Sequence, residues 1–198
     1  MMGPTKMTER EIILTGIGGQ GIQLMAKVLA QAAATEGRQV MLFGVYGGAM
    51  RGSASESTIV ISDDEIHAPP IIPHCWSLVA MHPAGLAALA SKLRPDGCVF
   101  LNQTLVRENP RPDVATTAIP ATRLAEQAGN LMGAGMIMLG AFVAATQLVP
   151  LAALIAAMHA SLPPHRQALA ERNVQLLNLG TNYINSAELQ VAVSESRS

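Results

Sequence analysis

Charge is scarce in this 198-residue chain: Asp, Glu, Lys and Arg together make up 14% of it, where about 25% is usual. Aromatics are scarcer still at 3%, and there are two cysteines. Each shortage excludes something. Thirteen basic residues against fourteen acidic ones leave a net charge of −1. With no basic excess to neutralise a phosphate backbone, nucleic-acid binding is disfavoured. A hydrophobic content of 49% excludes a disordered acidic or basic tail as the main body of the chain. Cys75 and Cys98 stand 23 positions apart with no C-x-x-C, so iron–sulfur clusters and structural zinc lack their thiolates. His74 beside Cys75 makes no metal pair without further ligands in view. A disulfide is not expected in a chain that reads as cytoplasmic. The segment Met1 to Glu11 carries Lys6, Glu9, Arg10 and Glu11 and has no apolar core of a secretory signal.

A normal apolar fraction with little charge admits two readings, a membrane segment or extensive buried surface. Between Glu126 and Arg166 there is no formally charged residue, which is long enough to contain a span of about 20 residues. Gly129, Gly133, Gly135, Gly140, Pro150 and Pro163-Pro164 interrupt it, and neither a basic cluster nor an aromatic belt frames it. No membrane span is therefore expected. Helices here are hydrophobic all round and buried, in the domain core and against a partner.

Strand and helix alternate through the first two-thirds. Glu11 to Thr15 reads as a strand, Ile22 to Glu36 as a helix stopped by Gly37, and Gln39 to Phe43 as a second strand. Thr58 to Ser62 and Trp76 to Met81 are further strands. Pro83 opens a helix through Leu86, Leu89 and Leu93, and Pro95-Asp96-Gly97 turns into a strand Cys98 to Asn102. Val114 to Ile119 is one more strand, and the chain is helical after Pro120. The fold class is α/β: a Rossmann-like, mostly parallel sheet flanked by helices, with a helical C-terminal third. One domain is expected over 11–190, after an extended or disordered 1–10 and before a tail at 191–198.

Two glycine loops carry the candidate chemistry. Gly16, Gly18 and Gly21 satisfy G-x-G-x-x-G between a strand and a helix, which brings backbone amides and a helix N-terminus close to an anionic group. A dinucleotide site also wants an acid at the end of the second strand. That strand ends Leu42-Phe43-Gly44, and Glu36 precedes it, which argues against a conventional NAD site. The plain alternative is a tight turn that binds nothing. In the second loop Arg51 is the only charged residue between Arg38 and Glu56, set among Gly47, Gly48 and Gly52. Its guanidinium is a fork for phosphate or carboxylate; the alternative is an exposed arginine paired with Glu56. Tyr46 could stack on a ligand or a partner subunit.

Gly16-Ile17-Gly18-Gly19-Gln20-Gly21, followed by Tyr46-Gly47 and Arg51-Gly52, resembles the gamma subunit of the 2-oxoacid:ferredoxin oxidoreductases, which act on pyruvate, 2-oxoglutarate, 2-oxoisovalerate or indolepyruvate. The likeness extends into Met136-Ile137-Met138-Leu139-Gly140-Ala141 and spans about Glu11 to Leu179. It implies a subunit, not catalytic alone, of an enzyme that oxidatively decarboxylates a 2-oxoacid to acyl-coenzyme A. Thiamine diphosphate, Mg and iron–sulfur clusters are then expected on alpha, beta and ferredoxin-like delta subunits, with electrons passing to ferredoxin. Coenzyme A becomes the candidate ligand of Gly16, Gly18, Gly19, Gln20, Gly21, Tyr46, Arg51 and Gly52. The second loop departs from the Tyr-Gly-Pro-Glu-x-Arg-Gly-Gly of relatives, Gly135 replaces a common Asn, and Trp76 an Asp. Those departures leave room for a bulkier or aromatic 2-oxoacid. Two other readings stay open on the residues alone, a stand-alone nucleotide-binding dehydrogenase and a noncatalytic assembly module.

Overall fold

A computed structural model describes residues 9–46, 54–69 and 71–195. Its centre is one six-stranded sheet in the order β2-β3-β1-β4-β5-β6. In chain order the strands are β1 (Arg10–Ile17), β2 (Gln39–Tyr46), β3 (Ala54–Ser62), β4 (Cys75–Ala80), β5 (Leu93–Asn102) and β6 (Ala115–Ile119). The helices are α1 (Ile22–Thr35), α2 (Pro83–Leu89), α3 (Ala121–Gln127), α4 (Ala134–Thr146), α5 (Leu151–Ala160) and α6 (Gln167–Glu195). Strands β1, β4, β5 and β6 run parallel. β3 is antiparallel to both β1 and β2, so the sheet is mixed on one side and parallel on the other.

Alternation along the strands divides the core in two. Ile12, Leu14, Ile59, Ile61, Val79 and Phe100 face one side and pack with α1 and α3 to α6. Ile13, Val60, Leu78, Val99 and Leu101 face the other, with Leu86 and Leu89 of α2. The helical C-terminal third therefore covers a single face of the sheet.

One local reading changes. Leu93 continues no helix: a 3-10 turn at Ala90–Lys92 ends α2, and Leu93 opens β5 opposite Cys75. Ser77 then pairs with Cys98, so two steps on β4 match five on β5. The Pro95-Asp96-Gly97 turn survives as a bulge within the strand, because a prolyl nitrogen cannot donate to the ladder. At the other end, α6 runs through Glu195. No Gly or Pro follows Gly180, so nothing in the backbone chemistry stops the helix.

The charge-free stretch is resolved by α4. Ten consecutive residues, Ala134 to Val143, are buried, and they are buried chiefly by this chain's own α6, α3 and α1. The approach is backbone to backbone. A Cβ on Gly140 would lie 2.0 Å from the Leu177 carbonyl oxygen, and one on Gly180 would lie 1.9 Å from that of Ile137. Thr181 Oγ1 donates to the Gly140 carbonyl at 3.3 Å across the same crossing. No helix among the described residues is long and apolar enough to cross a membrane.

The helix crossing gives a direct stability test. Gly140→Ala should cost about 2–3 kcal/mol in urea unfolding, since main chain rather than a flexible side chain must move. Gly37→Ala, in left-handed backbone (φ 80°) but with nothing within 4 Å, should cost only about 1 kcal/mol. Equal losses at the two positions would contradict the close crossing.

Candidate functional site

The carboxyl ends of β1, β4 and β5 lie side by side, and three connections meet there: the glycine loop after β1, Met81-His82 after β4, and Asn102-Gln103 after β5. β1 is also where the chain order reverses, since β2 lies on one side of it and β4 on the other. Crevices of this kind are where open α/β sheets place ligands.

Within the loop, Gly16 and Ile17 are the last residues of β1 and pair with Ser55 and Ala54. The chain then turns through Gly19 (φ 100°) and Gly21 (φ 77°), which any side chain would strain. Gly21 is the N-cap of α1 and supplies no side-chain cap. The first α1 amides are thus left open, as helix N-termini leave them. Gln20 folds inward and holds the turn together. Its Oε1 accepts from Ile17 N at 2.9 Å, its Nε2 donates to the Met81 carbonyl at 3.1 Å, and its backbone N donates to Ile17 O at 3.1 Å. A Cβ on Gly16 would meet Gln20 Oε1 at 2.5 Å, so glycine is needed there to admit the glutamine. Among the described residues, the amides of Gly18, Gly19 and Gly21 have no protein partner, and Gly18 and Gly19 are exposed.

Neighbouring elements press on this loop. A Cβ on Gly135, at the start of α4, would lie 2.5 Å from the Gln20 carbonyl oxygen, so the helix rests directly on loop backbone. Met132, 68% exposed, reaches within 3.6 Å of where a Gly19 Cβ would stand, and Leu131 beside it is also exposed. Gln23 of α1 donates to the Glu56 carbonyl at 3.1 Å and fills the space over Gly44. That contact ties the loop's helix to the β2–β3 hairpin.

The sequence candidates divide accordingly. Gly16, Gly18, Gly19, Gln20 and Gly21 form one turn. The main chain of Tyr46 pairs with Ser55, which pairs in turn with Gly16, so the hairpin rises at the same end of the sheet. Arg51 and Gly52, with the pairing to Glu56, lie outside the described residues. Trp76 belongs to the opposite end. It stands at the amino end of β4, with the Arg10 guanidinium 4.6 Å above its ring and Phe142 edge-on at 6.4 Å. Its surroundings are those of a packed side chain, at the far end of the sheet from the loop. Sequence reading missed Asn102, Met81 and Met132; Asn102, an amide closing an apolar strand, was the readable signal.

The cysteines are free and point into different cores, Cys75 with the α2 side and Cys98 toward the other. Burial, reinforced by the Glu11 carboxylate, pushes the Cys75 thiol up to about 12. Burial also raises Cys98, opposed by Ser77 and Arg10.

A mixed, mostly parallel Rossmann-like sheet flanked by helices, with an open glycine loop at its carboxyl end, defines an α/β domain. Residues 11–183 match the family model for pyruvate ferredoxin/flavodoxin oxidoreductase, and the chain belongs to that family. It is 34% identical over 184 residues to the 2-oxoglutarate synthase subunit KorC of Methanothermobacter marburgensis, covering 88% of this chain and 96% of the relative. The crystal structure of the keto/oxoacid ferredoxin oxidoreductase gamma subunit from Geobacter sulfurreducens superposes with a TM-score of 0.76 at 28% identity, over 89% of this chain and 99% of that one. A 2-oxoglutarate:ferredoxin oxidoreductase from Magnetococcus marinus shares the fold (TM-score 0.79, 16% identity), with 91% of this chain matching 32% of a longer chain. This chain is a gamma-type subunit of a 2-oxoacid oxidoreductase.

Cys75 should stay protonated and resist alkylation in the native chain at pH 8, while the partly exposed Cys98 is modified first. Peptide mapping after a short iodoacetamide pulse reads the order, and preferential labelling of Cys75 would contradict its placement.

Proposed function

We propose that this cytoplasmic subunit serves the coenzyme A end of a thiamine diphosphate-dependent 2-oxoacid:ferredoxin oxidoreductase, assembled with alpha, beta and ferredoxin-like delta subunits. The observation that carries the proposal is the glycine loop. Among the described residues, three amides without protein partners stand at an uncapped helix N-terminus, in a turn braced from inside by Gln20. Such a turn suits the phosphates of a carrier. Tyr46 at the end of β2 and, outside the described residues, Arg51 and Gly52 complete the proposed contact set, with Arg51 as the charged partner of a phosphate.

This chain's own residues do not fit the enzyme's redox groups. Its two cysteines face opposite sides of the sheet, and no group of three His, Cys, Asp or Glu side chains that could hold a metal gathers among the described residues. Decarboxylation and electron transfer are therefore assigned to partner subunits, and residues 11–190 act as one binding and assembly domain. The Magnetococcus enzyme, solved with 2-oxoglutarate, coenzyme A and succinyl-coenzyme A, supports the ligand class. The KorC relatives make 2-oxoglutarate the first 2-oxoacid to assay.

The test uses the assembled complex. Arg51→Ala and Gly19→Ala should each raise the KM for coenzyme A about tenfold and leave the KM for the 2-oxoacid unchanged, the split expected of a contact confined to one substrate. An unchanged coenzyme A KM in both variants would overturn the assignment.

A further inference from the structure

We infer that Asn102 is a positioning residue for the glycine loop, acting through the main-chain carbonyl of Met81. The inference rests on the coenzyme A reading above only for its kinetic consequence. Asn102 ends β5 and is fully buried, where a side-chain amide is costly unless its donors and acceptor are met. They are met asymmetrically. Its Oδ1 accepts from Thr122 N at 3.2 Å, and its Nδ2 donates to Thr122 Oγ1 at 2.8 Å and to the Met81 carbonyl at 3.4 Å.

That carbonyl is the one Gln20 Nε2 reaches from the other side at 3.1 Å. Both lone pairs of a single oxygen are thus engaged, one by the loop's internal brace and one by Asn102. Met81 N, for its part, donates to Thr15 O at 2.8 Å. An unbroken line of hydrogen bonds therefore crosses the carboxyl ends of the sheet, from the start of α3 through β5 and β4 to Ile17, which directly precedes the open amides. Sheet pairing already secures the strands without Asn102. What its Nδ2 adds is the direction of the Met81 carbonyl, hence the seat of Gln20, hence the turn that presents Gly18, Gly19 and Gly21. With that donor lost, the carbonyl is held from one side only and Gln20 releases the Ile17 amide more often.

Asn102→Asp keeps an acceptor for Thr122 N and puts a carboxylate oxygen in place of the amide donor to Met81; Asn102→Ala removes the donor, and the acceptor with it, without introducing charge. Thr122→Val removes the hydroxyl partner and leaves the Asn102–Met81 bond in place. In the assembled complex, either Asn102 variant should speed hydrogen exchange at the Ile17 amide about tenfold, the change expected when a bond worth roughly 1.4 kcal/mol is lost. The same variants should raise the KM for coenzyme A about tenfold with kcat nearly unchanged. Thr122→Val should move neither reading more than about twofold, although it perturbs the same buried cluster. Ile17 exchange at the wild-type rate in both Asn102 variants would overturn the inference. So would a Thr122→Val complex as fast in exchange as they are. Faster exchange with an unchanged coenzyme A KM would uphold Asn102 as the loop's brace and overturn the placing of coenzyme A there.

Discussion

The carboxyl end of the sheet depends on α4 lying against its neighbours with no side chain between. Gly140 and Gly180 let α4 and α6 meet at main-chain distance, and Gly135 lets the first turn of α4 sit on the Gln20 carbonyl. Close helix crossings bury backbone dipoles beside one another, and charged or branched residues would hold them apart. The absence of charge from Glu126 to Arg166 follows from this geometry. It describes the inside of the domain first; among the described residues, the large apolar side chains left outside are Leu131 and Met132 beside Gly19, Leu42 and Phe43 on the edge strand β2, and Ile71, Leu105 and Leu169 elsewhere. One helix thus shapes both the core and the floor of the candidate site.

A glycine loop is useful only if it holds one shape. Glycine brings backbone freedom, which opposes a fixed turn, and here that freedom is removed by packing and by one side chain. Gln20 occupies the space that the missing Gly16 side chain leaves, and β4 supplies its second anchor through Met81. The outward amides are left for something else to satisfy. The two thiols lie on opposite faces of the sheet.

Much of this was legible in the residues. The alternation of strand and helix pointed to the α/β class, and Gly37 marked the end of α1. What was hidden involved partners far apart in sequence. Leu93 keeps the helical spacing of Leu86 and Leu89, yet strand pairing with Cys75 outweighs that local pattern. Nothing near Trp76 in sequence says that Arg10 covers it. Asn102, Met81 and Gln20 converge on one oxygen from positions as much as 82 residues apart; only the topology that sets β1, β4 and β5 side by side reveals their connection.

We propose that the open amides of the glycine loop receive the phosphates of coenzyme A. Hydrogen exchange of the assembled complex, with coenzyme A or with pantetheine, which lacks those phosphates, is the decisive measurement. Slowed exchange at Gly18, Gly19 and Gly21 is expected with coenzyme A, and no slowing with pantetheine. Equal protection by both, or protection by neither, would overturn the proposal.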